Sequence, residues 1–182
     1  MAISKQMLDV SKNKTTEFWV SHIIILAGTI IGVYLAASAG LKVAIQFELI
    51  KSDRNSFYMR SALLDELKDN TATITTWGTE YRGGKAGKFI GKPKDFKLDT
   101  YVWTSMKDNP STFEIPSEIL TKIRRYYRDM DVGLSKMTSR GAAANDVDLM
   151  LKQTVNFQST LTQLEKNIAK LKARLKALDL LQ

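Results

Sequence analysis

From Phe18 to Leu41 the chain runs for 24 residues without an Asp, Glu, Lys or Arg. A helix of that length rises ~36 Å at about 1.5 Å per residue, and a hydrocarbon core is roughly 30 Å thick. Eleven strongly apolar residues lie in the stretch. At about −0.3 to −0.6 kcal/mol each they favour insertion by roughly 3–7 kcal/mol. Gly28, Gly32, Ala36 and Gly40 recur every fourth residue through it, and Ala44 continues the row past Lys42. That spacing keeps small side chains on one face, where another backbone can approach closely, and lipid contact alone gives no reason for it. Because a period of four drifts against 3.6 residues per turn, the stripe winds around the helix and favours right-handed crossings near about −40°. The sequence therefore predicts a single transmembrane helix over 18–41 that packs against other helices through this stripe.

His22 and Thr29 are polar residues inside the apolar stretch. His22 is the chain's one histidine, and with no nearby carboxylate or second ligand it makes a poor metal or proton-relay site. Thr29 falls on the same helical stripe as His22, about 100° or more from the glycine face, so an intramembrane hydrogen bond to a neighbouring helix is expected of the pair. Ala37-Ser38-Ala39 resembles a leader cleavage site, but the apolar run before it exceeds the usual 7–15 residues, so an anchor is expected instead. Before the span, Ile3, Met7 and Val10 recur at helical spacing in an interfacial tail over 1–17, and Trp19 suits a membrane–water boundary.

Beyond the span the chain is basic. From Lys51 onward 23 Lys or Arg face 16 Asp or Glu, most of a formal net charge of +8. Such a body beside a bilayer points to anionic headgroups, acidic proteins or nucleic acid. Cysteine is absent from the sequence, which excludes disulfides, thiol nucleophiles, iron–sulfur clusters and thiolate zinc sites.

No glycine or proline interrupts residues 42–70, and a juxtamembrane helical stalk is predicted there. The threonine-rich run from Thr71 to Thr76 is expected to end it, since β-branched residues weaken helical preference. Residues 71–112 then read as an irregular, basic, glycine-rich insert, with a short hairpin around Phe89-Ile90 and Tyr101 to Trp103. From Arg82 to Lys97 the six bases Arg82, Lys85, Lys88, Lys92, Lys94 and Lys97 face one acid, Asp95. Only three residues separate Gly83 from Gly87-Lys88 where a phosphate loop has four, and Phe89 follows where it requires Ser or Thr, so that motif fails on spacing and on chemistry. The six bases are expected to contact anionic lipid or a partner protein. Aromatic residues interleave the lysines, as in nucleic-acid-binding segments, but nucleic acid is not the expected partner.

An amphipathic helix is predicted over 113–138, starting near Pro116 with Glu118 in its first turn and Ile119, Ile123, Tyr127, Met130, Leu134 and Met137 on one face. Gly133 is expected to weaken its far end. Asp129 and Asp131 imitate a paired-carboxylate site, but helix residues two apart point in different directions. After a linker over 139–145, residues 146–182 carry the longest seam in the chain. Val147, Met150, Thr154, Phe157, Leu161, Leu164, Ile168, Leu171, Leu175 and Leu178 alternate spacings of three and four, which predicts a coiled-coil-like helix. Basic residues near its end, Lys172 and Arg174 among them, disfavour parallel self-pairing. The helix is expected to pack on its own domain, run antiparallel or meet an acidic partner.

The fold class is therefore mainly α, with one transmembrane helix leading into a helical body. No catalytic constellation is present in the sequence, and no cofactor or metal is expected. The function expected is a non-catalytic accessory or scaffolding subunit of a larger membrane complex. A homo-oligomeric ring or pore, and a membrane-tethered adaptor for nucleic acid or a soluble enzyme, are the alternatives. The expected partners are membrane lipids with other subunits or copies of the chain. Lys5, Lys12 and Lys14 before the span nearly balance Lys42, Lys51, Arg54 and Arg60 after it, so orientation rests on the basic body, which suits an anionic cytoplasmic leaflet.

Overall fold

The computed structural model describes residues 3–83, 97–140 and 144–178, with side chains from residue 17 onward except at 138–140. The protein is mainly helical, and no strand occurs among the described residues. Helix α1 runs Ile3–Arg82, α2 Tyr101–Met106, a 3₁₀ turn Pro110–Glu114, α3 Ser117–Arg140 and α4 Ala144–Ala177. The chain divides within α1 into two units, Met1–Leu49 and Ile50–Gln182.

In the first unit α1 carries its large apolar side chains in the open. From Phe18 to Leu49 they are 50% to 70% exposed. This helix is long and apolar enough to cross a membrane.

The second unit is a bundle of α1 from Ile50 onward, α3 and α4, with α2 and the 3₁₀ turn laid against it. Cross-helix pairs fix the directions. Asp53 pairs with Arg174, Lys68 with Glu165 at 2.6 Å and Arg82 with Asp148 at 2.9 Å, so α4 runs antiparallel to α1. The Tyr126 and Phe157 rings stack at 4.0 Å, and Gly133 faces Met150, so α4 also runs antiparallel to α3. Leu63, Leu67 and Ile74 from α1, Ile123 and Met130 from α3, and Val147 and Leu164 from α4 are all inaccessible to water. Burying such side chains stabilises the bundle by about 1.5–3 kcal/mol each before entropy is counted.

Three sequence expectations need correction here. The threonine run does not end the helix. Thr71 donates to the Lys68 carbonyl, Thr75 to that of Thr71 and Thr79 to that of Thr75, which satisfies the hydroxyls within the helix. Ile74 and Trp77 meanwhile bury almost completely, and packing of that kind outweighs a few tenths of a kcal/mol of propensity per residue. The predicted irregular segment is therefore helical from Thr71 to Arg82.

Second, Tyr101 to Trp103 form the first turn of α2 instead of one arm of a hairpin; Phe89 and Ile90 lie outside the described residues. The Glu66 carboxylate, from α1, accepts from the backbone N–H of Val102 at 2.5 Å and of Trp103 at 3.1 Å. Helix N–H groups that lack intrahelical acceptors are thus satisfied from another element. Asn70 secures the approach by bonding both the N–H and the carbonyl of Asp99.

Third, Gly78, which falls in the predicted glycine-rich irregular segment, lies within α1, and α3 continues past Gly133 to Arg140. A Cβ on Gly78 would stand 2.7 Å from Leu151 Cδ2, and one on Gly133 2.8 Å from Met150 Sδ. Both glycines let α4 approach closely. On α4 the predicted seam is buried from Val147 to Leu175, including Thr154, whose hydroxyl donates to the Met150 carbonyl. Leu178 departs from it at 53% exposure and lies just past the end of α4.

Candidate interaction surfaces

The small-residue stripe is open along its length. A Cβ added to Gly28, Gly32 or Gly40 would meet nothing within 4 Å, and Ala36 and Ala44 are exposed. Among the described residues the stripe thus leaves room for a close backbone approach. His22 and Thr29 each reach a carbonyl of their own helix. His22 Nδ1 lies 2.8 Å from the Phe18 carbonyl, with its ring 4.0 Å from that of Phe18, and Thr29 donates to the Ile25 carbonyl at 2.8 Å. The Thr29 hydroxyl therefore needs no neighbouring helix to sit in an apolar setting.

Two of the six bases of the predicted basic insert, Arg82 and Lys97, lie among the described residues. Arg82 pairs with Asp148 at the surface of the bundle, and Lys97 lines a groove described below. Lys85, Lys88, Lys92 and Lys94 lie outside the described residues.

Glu66 was not singled out by the sequence. Besides the two α2 amides it accepts from the Tyr127 hydroxyl at 2.5 Å, and it is 6% exposed. Burial, reinforced by the Glu66 charge, pushes the Tyr127 phenol far above its ordinary value. With three donors on one carboxylate, Glu66 acts as a clamp between α1, α2 and α3. A second polar row follows helical spacing along α1. Ser52 and Ser56 donate to the Glu114 carboxylate, and Arg60 pairs with it at 3.5 Å while donating to Asn167 at 2.8 Å. Burial lowers the Arg60 pKa, against the opposing pull of Glu114. The i, i+4, i+8 spacing of Ser52, Ser56 and Arg60 was the available signal; nothing local marked Glu66, whose partners stand 36 or more residues away.

A groove of ≈ 970 Å³ lies between α3 and the segment from Lys97 to Phe113. Trp103 and Tyr127, stacked at 5.2 Å, join its two walls. Among the described residues no group of three His, Asp or Glu could hold a metal ion.

Comparison with protein-family models, with curated proteins and with solved structures finds no match for this chain.

Proposed function

We propose that this chain is a non-catalytic, single-span accessory or scaffolding subunit of a larger membrane protein complex. The observation that carries the reading is the unoccupied small-residue stripe on a helix apolar enough to span a bilayer. In lipid, helices associate through close packing at such residues. The bundle supports the reading in a second way. Its long α4 seam is spent on the chain's own core, and its buried carboxylate, Glu66, holds elements together. In this reading the span docks the protein and the basic helical body, on the cytoplasmic side, braces other subunits. The same stripe would equally serve a homo-oligomeric ring or pore, since it is self-complementary in shape.

Particle mass in detergent separates the two arrangements, with one copy among other subunits expected. Replacing Gly32 with Leu should disrupt assembly on a native gel, because a branched side chain holds the facing backbone away. Ile31→Leu, off the stripe, should assemble normally. Equal assembly of the two variants would reject the stripe as an interface.

A further inference from the structure

The groove on α3 has the form of a seat for one more helix. Leu120, Arg124, Tyr127, Asp131 and Leu134 line it at alternating spacings of four and three, a row that shares the buried Tyr127 and Leu134 with the core face and adds the more open Leu120, Arg124 and Asp131 beside them. From Leu120 to Ser135 this wall is ~22 Å long at about 1.5 Å per residue, enough for roughly four turns of a partner helix. Its floor carries Trp103, Tyr127 and the two leucines, and Phe113 stands at one end with 80% of its surface exposed. Cations flank the floor on both walls, Arg124 and Arg128 from α3, Lys97 and Lys107 from the facing segment, against Asp131 alone. Arg128 is engaged by Asp129 at 2.8 Å, whereas Arg124, Lys97 and Lys107 make no ion pair among the described residues.

We propose that this groove binds an acidic amphipathic helix of another protein, with apolar residues on the aromatic floor and Glu or Asp toward the flanking bases. Charge selects the occupant. Arg124, Arg128, Lys97 and Lys107 outnumber the one acid in the lining, Asp131, so an occupant with acidic flanks is favoured. A second copy has no free amphipathic helix in its body to offer, because the apolar seams of α3 and α4 are already buried. Anionic lipid would be drawn to the same cations, but Asp131 also lines the groove, and a long wall with three-four spacing matches rows of helix side chains better than headgroups. The inference goes beyond the scaffolding reading and does not depend on the span stripe.

The test uses the full chain in a neutral detergent and two fluorescein-labelled, helix-stabilised 16-residue peptides. Both have Leu at the seam positions; one has Glu at the flanks, the other Lys. Fluorescence anisotropy should show the Glu peptide binding at least ~10-fold more tightly than the Lys peptide, with affinity falling as salt rises. Arg124→Glu should weaken the Glu peptide by ~10-fold or more, and Phe113→Ala by several-fold. Lys152→Glu, the same charge change on an exposed α4 position outside the groove, should alter it less than ~2-fold. Both groove residues are exposed, so these variants keep the fold. Binding of neither peptide, equal binding of both, or equal loss with Arg124→Glu and Lys152→Glu would overturn the proposal. So would displacement of the peptide by short-chain phosphatidylglycerol at comparable affinity, which would make the groove a lipid site.

Discussion

Glu66 takes hydrogen bonds from Val102, Trp103 and Tyr127 while almost wholly buried. Leaving a buried donor unsatisfied costs about 1–3 kcal/mol, and more when the lost partner was charged. Glu66→Gln points an amide N–H₂ at donors, so it should lower stability by about 2–4 kcal/mol and the melting temperature by several degrees. Glu165→Gln, which removes one exposed bridge to Lys68, should leave the melting temperature unchanged. Similar losses for both would mean that the clamp does not hold α2. The neighbouring tyrosines add a pH dependence. Burial raises the Tyr126 phenol to about 12, above an unfolded value of about 10. The folded state thus holds its proton more tightly than the unfolded state, so this stability is complete below about pH 10 and is lost as pH rises towards 12. The Tyr126 hydroxyl makes no hydrogen bond of ordinary geometry, so Tyr126→Phe should be neutral or stabilising at pH 7. It should also lose less melting temperature than wild type between pH 9 and pH 12, as checked by circular dichroism melts.

Among the elements, α4 was legible almost whole, because a seam buried on one side leaves an unambiguous three-four pattern in the residues. The α3 face was legible for the same reason. What escaped were features whose cause lies elsewhere in the chain. The Thr71–Thr76 run looks helix-breaking until Ile74 and Trp77 are seen to be buried, and Tyr101 looks like a strand until Glu66 supplies its neighbours with an acceptor. Gly78 and Gly133 share a composition signal with loop glycines, and only the positions of Leu151 and Met150 reveal the close approach. Of the candidate surfaces, the stripe could be read from spacing. The groove could not, since Arg124 and Asp131 looked like an ordinary solvated helix face. Ile168→Asp tests the seam, as it puts a charge into the core without a partner and should cost about 3 kcal/mol or more. Lys170→Ala, on the exposed face of the same helix, should stay within ~0.5 kcal/mol. Equal melting behaviour of the two would contradict the packing.

At the scale of the whole molecule, the two units face different solvents in their composition. One exposes a run of large apolar residues from Phe18 to Leu49, and the other buries an apolar core beneath a surface of bases with scattered apolar residues such as Phe113 and Val155. The lysines flanking the span are too evenly divided to orient it, so the argument for orientation passes to the body. A body with 23 bases against 16 acids gains roughly 1 kcal/mol for each base held near an anionic leaflet, and the cytoplasmic leaflet is the anionic one. The body is therefore expected in the cytoplasm. With an epitope tag after Gln182, protease added to intact cells or sealed right-side-out vesicles should leave the tagged body at full length. The same protease should degrade it once the membrane is opened with detergent. Loss of the tag while a cytoplasmic marker protein stays intact would place the body outside. The basic groove would then have to meet its acidic helix on the other face of the membrane.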